Sequence, residues 1–219
     1  MKLPLLLACC LISACSSVRT ITFHAPDGAT VEADVYGTSR HTLILAHGGR
    51  FTKESWSEQA PVLADAGFQV IAINFRGRGN SVAPDDPQGN NVHLDVVAAI
   101  DHALTNDAKP ISIIGASFGG WASSKAIALR PNTVDRVVFL ACPVEEPETL
   151  TGRKLFILAR DDFRGEDTLR LPEIQEDFDL APEPKQLVLL EGDAHAQFLF
   201  ESDQADRLMD ELLRFLTED

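Results

Sequence analysis

Gly115-Ala116-Ser117-Phe118-Gly119 is the stretch of this chain best equipped for covalent chemistry. It follows an apolar, β-branched run, Ile111 to Ile114, and opens a stretch of helix-forming composition, Gly120 to Arg130. A serine with a glycine two residues away on each side, between strand and helix, suits a turn so tight that larger neighbours would collide. Such a turn strains the serine backbone and holds the hydroxyl clear of the sheet edge. A serine hydroxyl is a weak nucleophile and needs a base, which in turn needs an orienting group. Of six histidines, only His195, in Gly192-Asp193-Ala194-His195, follows a candidate late strand. His24 and His41 fall at early strands, and His93 and His102 on a helix and its approach. Between Ser117 and His195 the run Phe156 to Ala159 ends a strand and leads to two carboxylates, Asp161 and Asp162. One residue of slip reverses the direction of a side chain, so the local pattern leaves both open. Serine, then acid, then histidine is an order suited to acyl transfer through a covalent intermediate. The Phe118 amide, at the start of the following helix, would be one donor to the oxyanion that forms.

These groups need a scaffold. Residues 18–24 and 30–36 read as two edge strands around Pro26-Asp27-Gly28, and Val31 to Val35 alternates apolar with acidic. Thr42 to Ala46, Val70 to Ile73, Ile111 to Ile114, Val137 to Cys142, Leu155 to Ala159 and Leu187 to Leu190 are nearly all apolar, the mark of parallel strands covered on both faces. Helical faces fall between them: Trp56, Ala60, Leu63 and Ala64; Leu94, Val97, Ile100 and Leu104; and Leu208, Leu212 and Leu216 after Ser202 as N-cap. The alternation predicts an α/β fold, a doubly wound, mostly parallel sheet with helices on both faces, in a single domain over 20–219. In such a sheet ligands bind at the carboxyl ends of the strands, where every motif above falls.

Four motifs in order give the chain a resemblance to the α/β-hydrolase superfamily from about residue 20 onward: His47-Gly48-Gly49, Asn74-Phe75-Arg76-Gly77-Arg78-Gly79-Asn80-Ser81, Gly115 to Gly119, and the strand ends carrying Asp162 and His195. The second is similar to the family's Asp-x-Arg-Gly-x-Gly-x-Ser loop, with Asn74 where aspartate is usual. The resemblance implies a Ser117, Asp162, His195 triad, because the family's Gly-x-x-Asp register, with Ala159 in place of glycine, selects Asp162 over Asp161. It implies a second oxyanion donor after the third strand, the Gly49 amide, with Arg50 or Phe51 as alternatives and His47 bracing the loop. It implies a serine hydrolase acting on an ester or related acyl bond of a small molecule, esterase- or dienelactone-hydrolase-like, with neither metal nor organic cofactor. Peptidase, thioesterase and lactonase activities share the triad, and a non-catalytic surface-anchored binding protein is the alternative of another class. Relatives often carry a helical lid before the seventh strand. Only Pro143 to Arg153 is free for one here, so the crevice is expected to be open, with no cap domain. Phe51, Trp56, Phe118, Trp121 and Phe198 are its candidate walls, and Arg50 and Lys53 either receive a substrate carboxylate or are solvated loop charges.

Met1-Lys2, the apolar Leu3 to Ile12 and the small residues after it have the form of a secretory signal. Ile12-Ser13-Ala14-Cys15 resembles a bacterial lipobox, with Leu6-Leu7-Ala8-Cys9 as a rival that leaves too short an apolar region. The resemblance implies cleavage after residue 14, a lipid anchor on Cys15, a tether over 15–19, and a place in the cell envelope, outer membrane facing periplasm given Ser16. Ordinary cleavage nearby would give a free periplasmic protein. Of four cysteines only Cys142 falls in the folded part, so no intramolecular disulfide is expected there. The formal charge of −14 sets the surface against nucleic acid as a partner.

Overall fold

The computed structural model describes residues 18–86 and 89–218. The expected signal, lipidated Cys15 and first tether residues lie outside them. Strands β1 (Arg19–His24) and β2 (Thr30–Tyr36) form an antiparallel hairpin. Then follow β3 (Thr42–Ala46), a 3-10 turn (Lys53–Trp56), α1 (Gln59–Asp65), β4 (Gln69–Ile73), α2 (His93–Thr105), β5 (Ile111–Ala116), α3 (Phe118–Leu129) and β6 (Arg136–Leu140). Next come β7 (Arg153–Ala159), the two-residue strands β8 (Phe163–Arg164) and β9 (Thr168–Leu169), α4 (Leu171–Leu180), β10 (Lys185–Leu190) and α5 (Ala205–Thr217).

The eight-stranded sheet has the order β1-β2-β4-β3-β5-β6-β7-β10 and is parallel from β4 to β10. Every residue of β3 and β5 is buried, so helices cover both faces at the centre. The apolar runs are long because no face of these strands meets water. At the edge β10 is only half-buried along most of its length, unlike the fully covered strand its composition predicts.

Other local differences have local causes. The strand expected to reach Cys142 stops at Leu140, because Ala141 turns to φ 54°. The buried residues of α2 are Asp95, Val96, Val97, Ala98, Ala99, Ile100 and Ala103, with Leu94 and Leu104 at the margins, since α3 packs alongside. Gln204, not Ser202, is the N-cap of α5; the Ser202 hydroxyl instead accepts the Gln204 amide at 3.1 Å. Between β6 and β7 the chain forms one 3-10 turn, Pro147–Thr149, and no helical lid.

Candidate active site

Ser117 joins β5 to α3 at φ 49°, ψ −116°. That conformation costs on the order of 1–3 kcal/mol in a residue with a side chain. The surroundings hold it there: its amide donates to the Leu140 carbonyl at 2.8 Å, and its carbonyl accepts the Gly120 amide at 2.9 Å. The flanking glycines are needed for close approach. A Cβ on Gly115 would lie 2.5 Å from the Gly120 Cα, and one on Gly119 would overlap the Ala46 carbonyl. The start of α3 therefore sits directly over the end of β3, which brings Phe118 to the His47-Gly48-Gly49 loop.

Backbone pairing continues past the ends of β7 and β10. The Arg160 amide donates to the Leu190 carbonyl and the Asp161 amide to that of Gly192, both at 2.9 Å. The two loops leave the sheet together, so Asp162 and His195 emerge side by side. His195 Nε2 lies 2.8 Å from Ser117 Oγ, and its Nδ1 lies 2.7 Å from Asp162 Oδ2. Asp162 is fully buried, and its second oxygen accepts Arg170 Nε at 3.2 Å. Asp161 is exposed.

The His47 loop is tied at several points. The His47 ring donates from Nδ1 to the Gly48 carbonyl at 2.8 Å and accepts the Phe75 amide at Nε2, 3.3 Å away. The bond accepted at Nε2 requires the neutral ring, and burial, outweighing the bond to Gly48, pushes its pKa down to about 4. The Gly48 amide donates to Gln197 Oε1 at 2.7 Å, and the Phe51 amide to the Gly48 carbonyl at 3.0 Å, which takes Phe51 out of consideration as an oxyanion donor. Among the described residues no protein acceptor takes the Gly49 amide. A Cβ on Gly49 would sit 3.6 Å from that of Phe118, so the two residues face each other. The Phe118 amide opens α3, where no carbonyl four residues back can use it. Ser117, His195, Gly49 and Phe118 all border a cavity of about 440 Å³.

With this arrangement in view, the family model described as the alpha/beta hydrolase family matches residues 43–217. The chain belongs to that family. This alpha/beta hydrolase is 28% identical over 129 residues to a serine hydrolase-like protein of Dictyostelium discoideum, a match covering 57% of this chain and 35% of that protein. It is 33% identical over 121 residues to epoxide hydrolase A of Mycobacterium tuberculosis, covering 52% and 37%. The chain thus spans little more than a third of the length of these curated relatives. A solved esterase from Pyrococcus furiosus superposes with a TM-score of 0.74 at 16% identity, over 92% of this chain and 94% of that one, a likeness of fold.

Several expected wall residues of this alpha/beta hydrolase lie elsewhere. Arg50, Phe51, Phe118 and Phe198 do line the cavity. Trp56 is fully buried, edge-on to Phe200, and belongs to the core. Trp121 stacks on Phe118 outside the cavity, with its ring nitrogen donating to Glu145 at 2.8 Å. Lys53 is neither a substrate contact nor a solvated charge. It is buried and paired to Asp34 and Glu54, both at 2.8 Å. Burial alone would pull its pKa down, but those bonds outweigh it and hold the ammonium above its usual range. Phe163, Gly165 and Arg170, from the β8–β9 hairpin and the turn into α4, complete the wall. Gln197 joins the two loops, donating to Ser55 while accepting from Gly48. Nothing in the local sequence around Gln197 or Arg170 announces these partners.

Proposed function

We propose that the protein is a serine hydrolase that cleaves an ester or closely related acyl bond of a small molecule. The observation that carries the reading is the hydrogen-bonded chain Ser117–His195–Asp162 at the wall of a cavity. In this reading Ser117 Oγ attacks the substrate carbonyl as its proton passes to His195 Nε2. Asp162 fixes the ring and stabilises the imidazolium. The amides of Gly49 and Phe118 receive the oxyanion, each worth roughly 10²–10³ in rate where a donor is already in place. His195 returns the proton to the leaving group as the carbonyl–oxygen bond breaks. Water then attacks the acyl-serine, gives a proton to His195 and frees the hydroxyl.

Acyl chemistry is favoured over the oxirane opening that the name of the mycobacterial relative describes. Attack by a serine on an oxirane would leave an ether, which water does not readily release, whereas an acyl-serine is an ester and turns over. The open crevice favours short acyl groups over long-chain emulsified lipid. A fluorophosphonate probe should label the wild type and not Ser117→Ala. A folded wild type that takes no label would remove the reading. A panel of chromogenic esters, thioesters and aminoacyl amides then separates the acyl bonds, with short-chain esters expected to turn over fastest.

A further inference from the structure

The cavity at Ser117 is charged opposite to the molecule that contains it. The chain carries a formal −14, yet the cavity wall holds Arg50 and Arg170 and no carboxylate. Arg50 is exposed at the rim, and among the described residues its guanidinium has neither a hydrogen bond nor an ion pair. Arg170 spends Nε on Asp162, and its two terminal nitrogens have no acceptor among the described residues. Asp162, fully buried, pairs with Arg170 at 3.2 Å and offsets part of its charge, which leaves Arg50 as the wall's unpaired cation. Glu54, Glu58 and Glu201 line a separate hollow that shares only Phe51 with the cavity, and Glu166 and Asp167, on the hairpin that forms part of the wall, are exposed and outside its lining. Apart from Ser117, His195 and Ala196, the remaining wall is three glycines and four phenylalanines, Phe51, Phe118, Phe163 and Phe198.

The apolar walls limit screening at the partly buried Arg170, while Arg50 meets solvent at the rim and can turn toward a ligand there. A planar guanidinium matches a carboxylate with paired N–H donors, which a neutral ester cannot reciprocate. On the hydrolase reading above, we infer that the substrate is an acyl ester bearing a carboxylate, which is read by Arg50 at the rim with the free edge of Arg170 beneath. The carboxylate belongs either to the acyl chain or to the alcohol, and the same two guanidiniums serve both placements.

The test compares matched pairs of esters by kcat/KM. Mono-(4-nitrophenyl) succinate against 4-nitrophenyl butyrate places the charge on the acyl side. A carboxyphenyl butyrate against phenyl butyrate places it on the alcohol. The wild type should prefer the anionic member of one pair by about tenfold or more, and Arg50→Gln should lower that preference about tenfold, the effect of losing one hydrogen bond to a charged group. The loss should appear mainly in KM for the anionic ester. A ratio near or below one in both pairs, or a preference that Arg50→Gln leaves unmoved, overturns the inference and leaves the hydrolase reading standing, since the neutral esters still turn over. Folded protein that hydrolyses no ester and takes no fluorophosphonate label overturns the hydrolase reading itself.

Discussion

Asp161 and Asp162 are adjacent, chemically identical and differently placed. At a strand end successive side chains point to opposite sides, so one carboxylate can face His195 only if the other faces solvent. Asp162 is fully buried and bonded to both His195 and Arg170, while Asp161 is exposed. An amide at 162 would offer His195 Nδ1 the wrong partner and favour the tautomer that cannot take the serine proton. Asp162→Asn should therefore lower kcat by about 10⁴-fold while the protein still folds. Asp161→Asn should leave kcat within about twofold, since surface substitutions away from such features have small effects. Steady-state kinetics on a short chromogenic ester checks both. The local pattern left both acids open, because one residue of slip exchanges their directions, and only the family's Gly-x-x-Asp register pointed to Asp162. Arg170 was not legible, because its contact depends on a hairpin returning the chain eight residues later.

At the scale of elements, the departure of Asn74 from the family pattern has its counterpart on another strand. Asn74 directly follows β4 and is fully buried; its Nδ2 donates to Glu32 Oε2 on β2 and its Oδ1 accepts the Lys53 amide, both at 2.8 Å. Glu32 also accepts Asn80 Nδ2 at 2.6 Å, and its bonds to the two asparagines overcome the burial that would raise its pKa and hold it low. An aspartate at 74 would lose the donor and face a carboxylate. Asn74→Asp should cost about 1–3 kcal/mol, read from the urea midpoint. Adding Glu32→Gln should recover part of the loss, and the double-mutant cycle measures the coupling. A variant as stable as wild type would show that the loop has another anchor. Elements themselves were legible where burial is complete: the runs that became β3, β4, β5 and β7 are apolar because neither face meets water. Helix α4 was missed because only Ile174 of its ten residues is buried, leaving too thin an apolar stripe to recognise. Trp56 and Trp121 were misplaced for a related reason. An aromatic side chain fits core and cavity wall equally well, and only the third dimension separates them.

Across the whole molecule, two effects act in opposite directions on acidification. Protonation relieves the self-repulsion of a chain at −14, which favours the compact state as pH falls from neutrality. Against this, His41, His47, His93 and His102 are all held below their usual pKa, in each case chiefly by burial. A histidine depressed in the folded state binds its proton more readily when unfolded, so stability is complete above the unfolded value near 6.5 and is lost as pH falls toward the folded one. For His47 that window runs down to about 4. It is worth up to about 3 kcal/mol by linkage. Charge repulsion between dispersed surface groups is screened by salt beyond about 8 Å at physiological ionic strength, so the histidine effect should win. Carboxylates held low by their partners, Asp27, Glu32 and Glu54, add a second loss below the first, while Asp95 and Asp177, raised by burial, oppose it. The urea midpoint should therefore fall between pH 7 and pH 4.5 in moderate salt. His47→Gln, which lowers stability at pH 7 by removing the loop's brace, should flatten that slope. A midpoint that instead rises steadily on acidification would mean that relief of repulsion outweighs the depressed histidines.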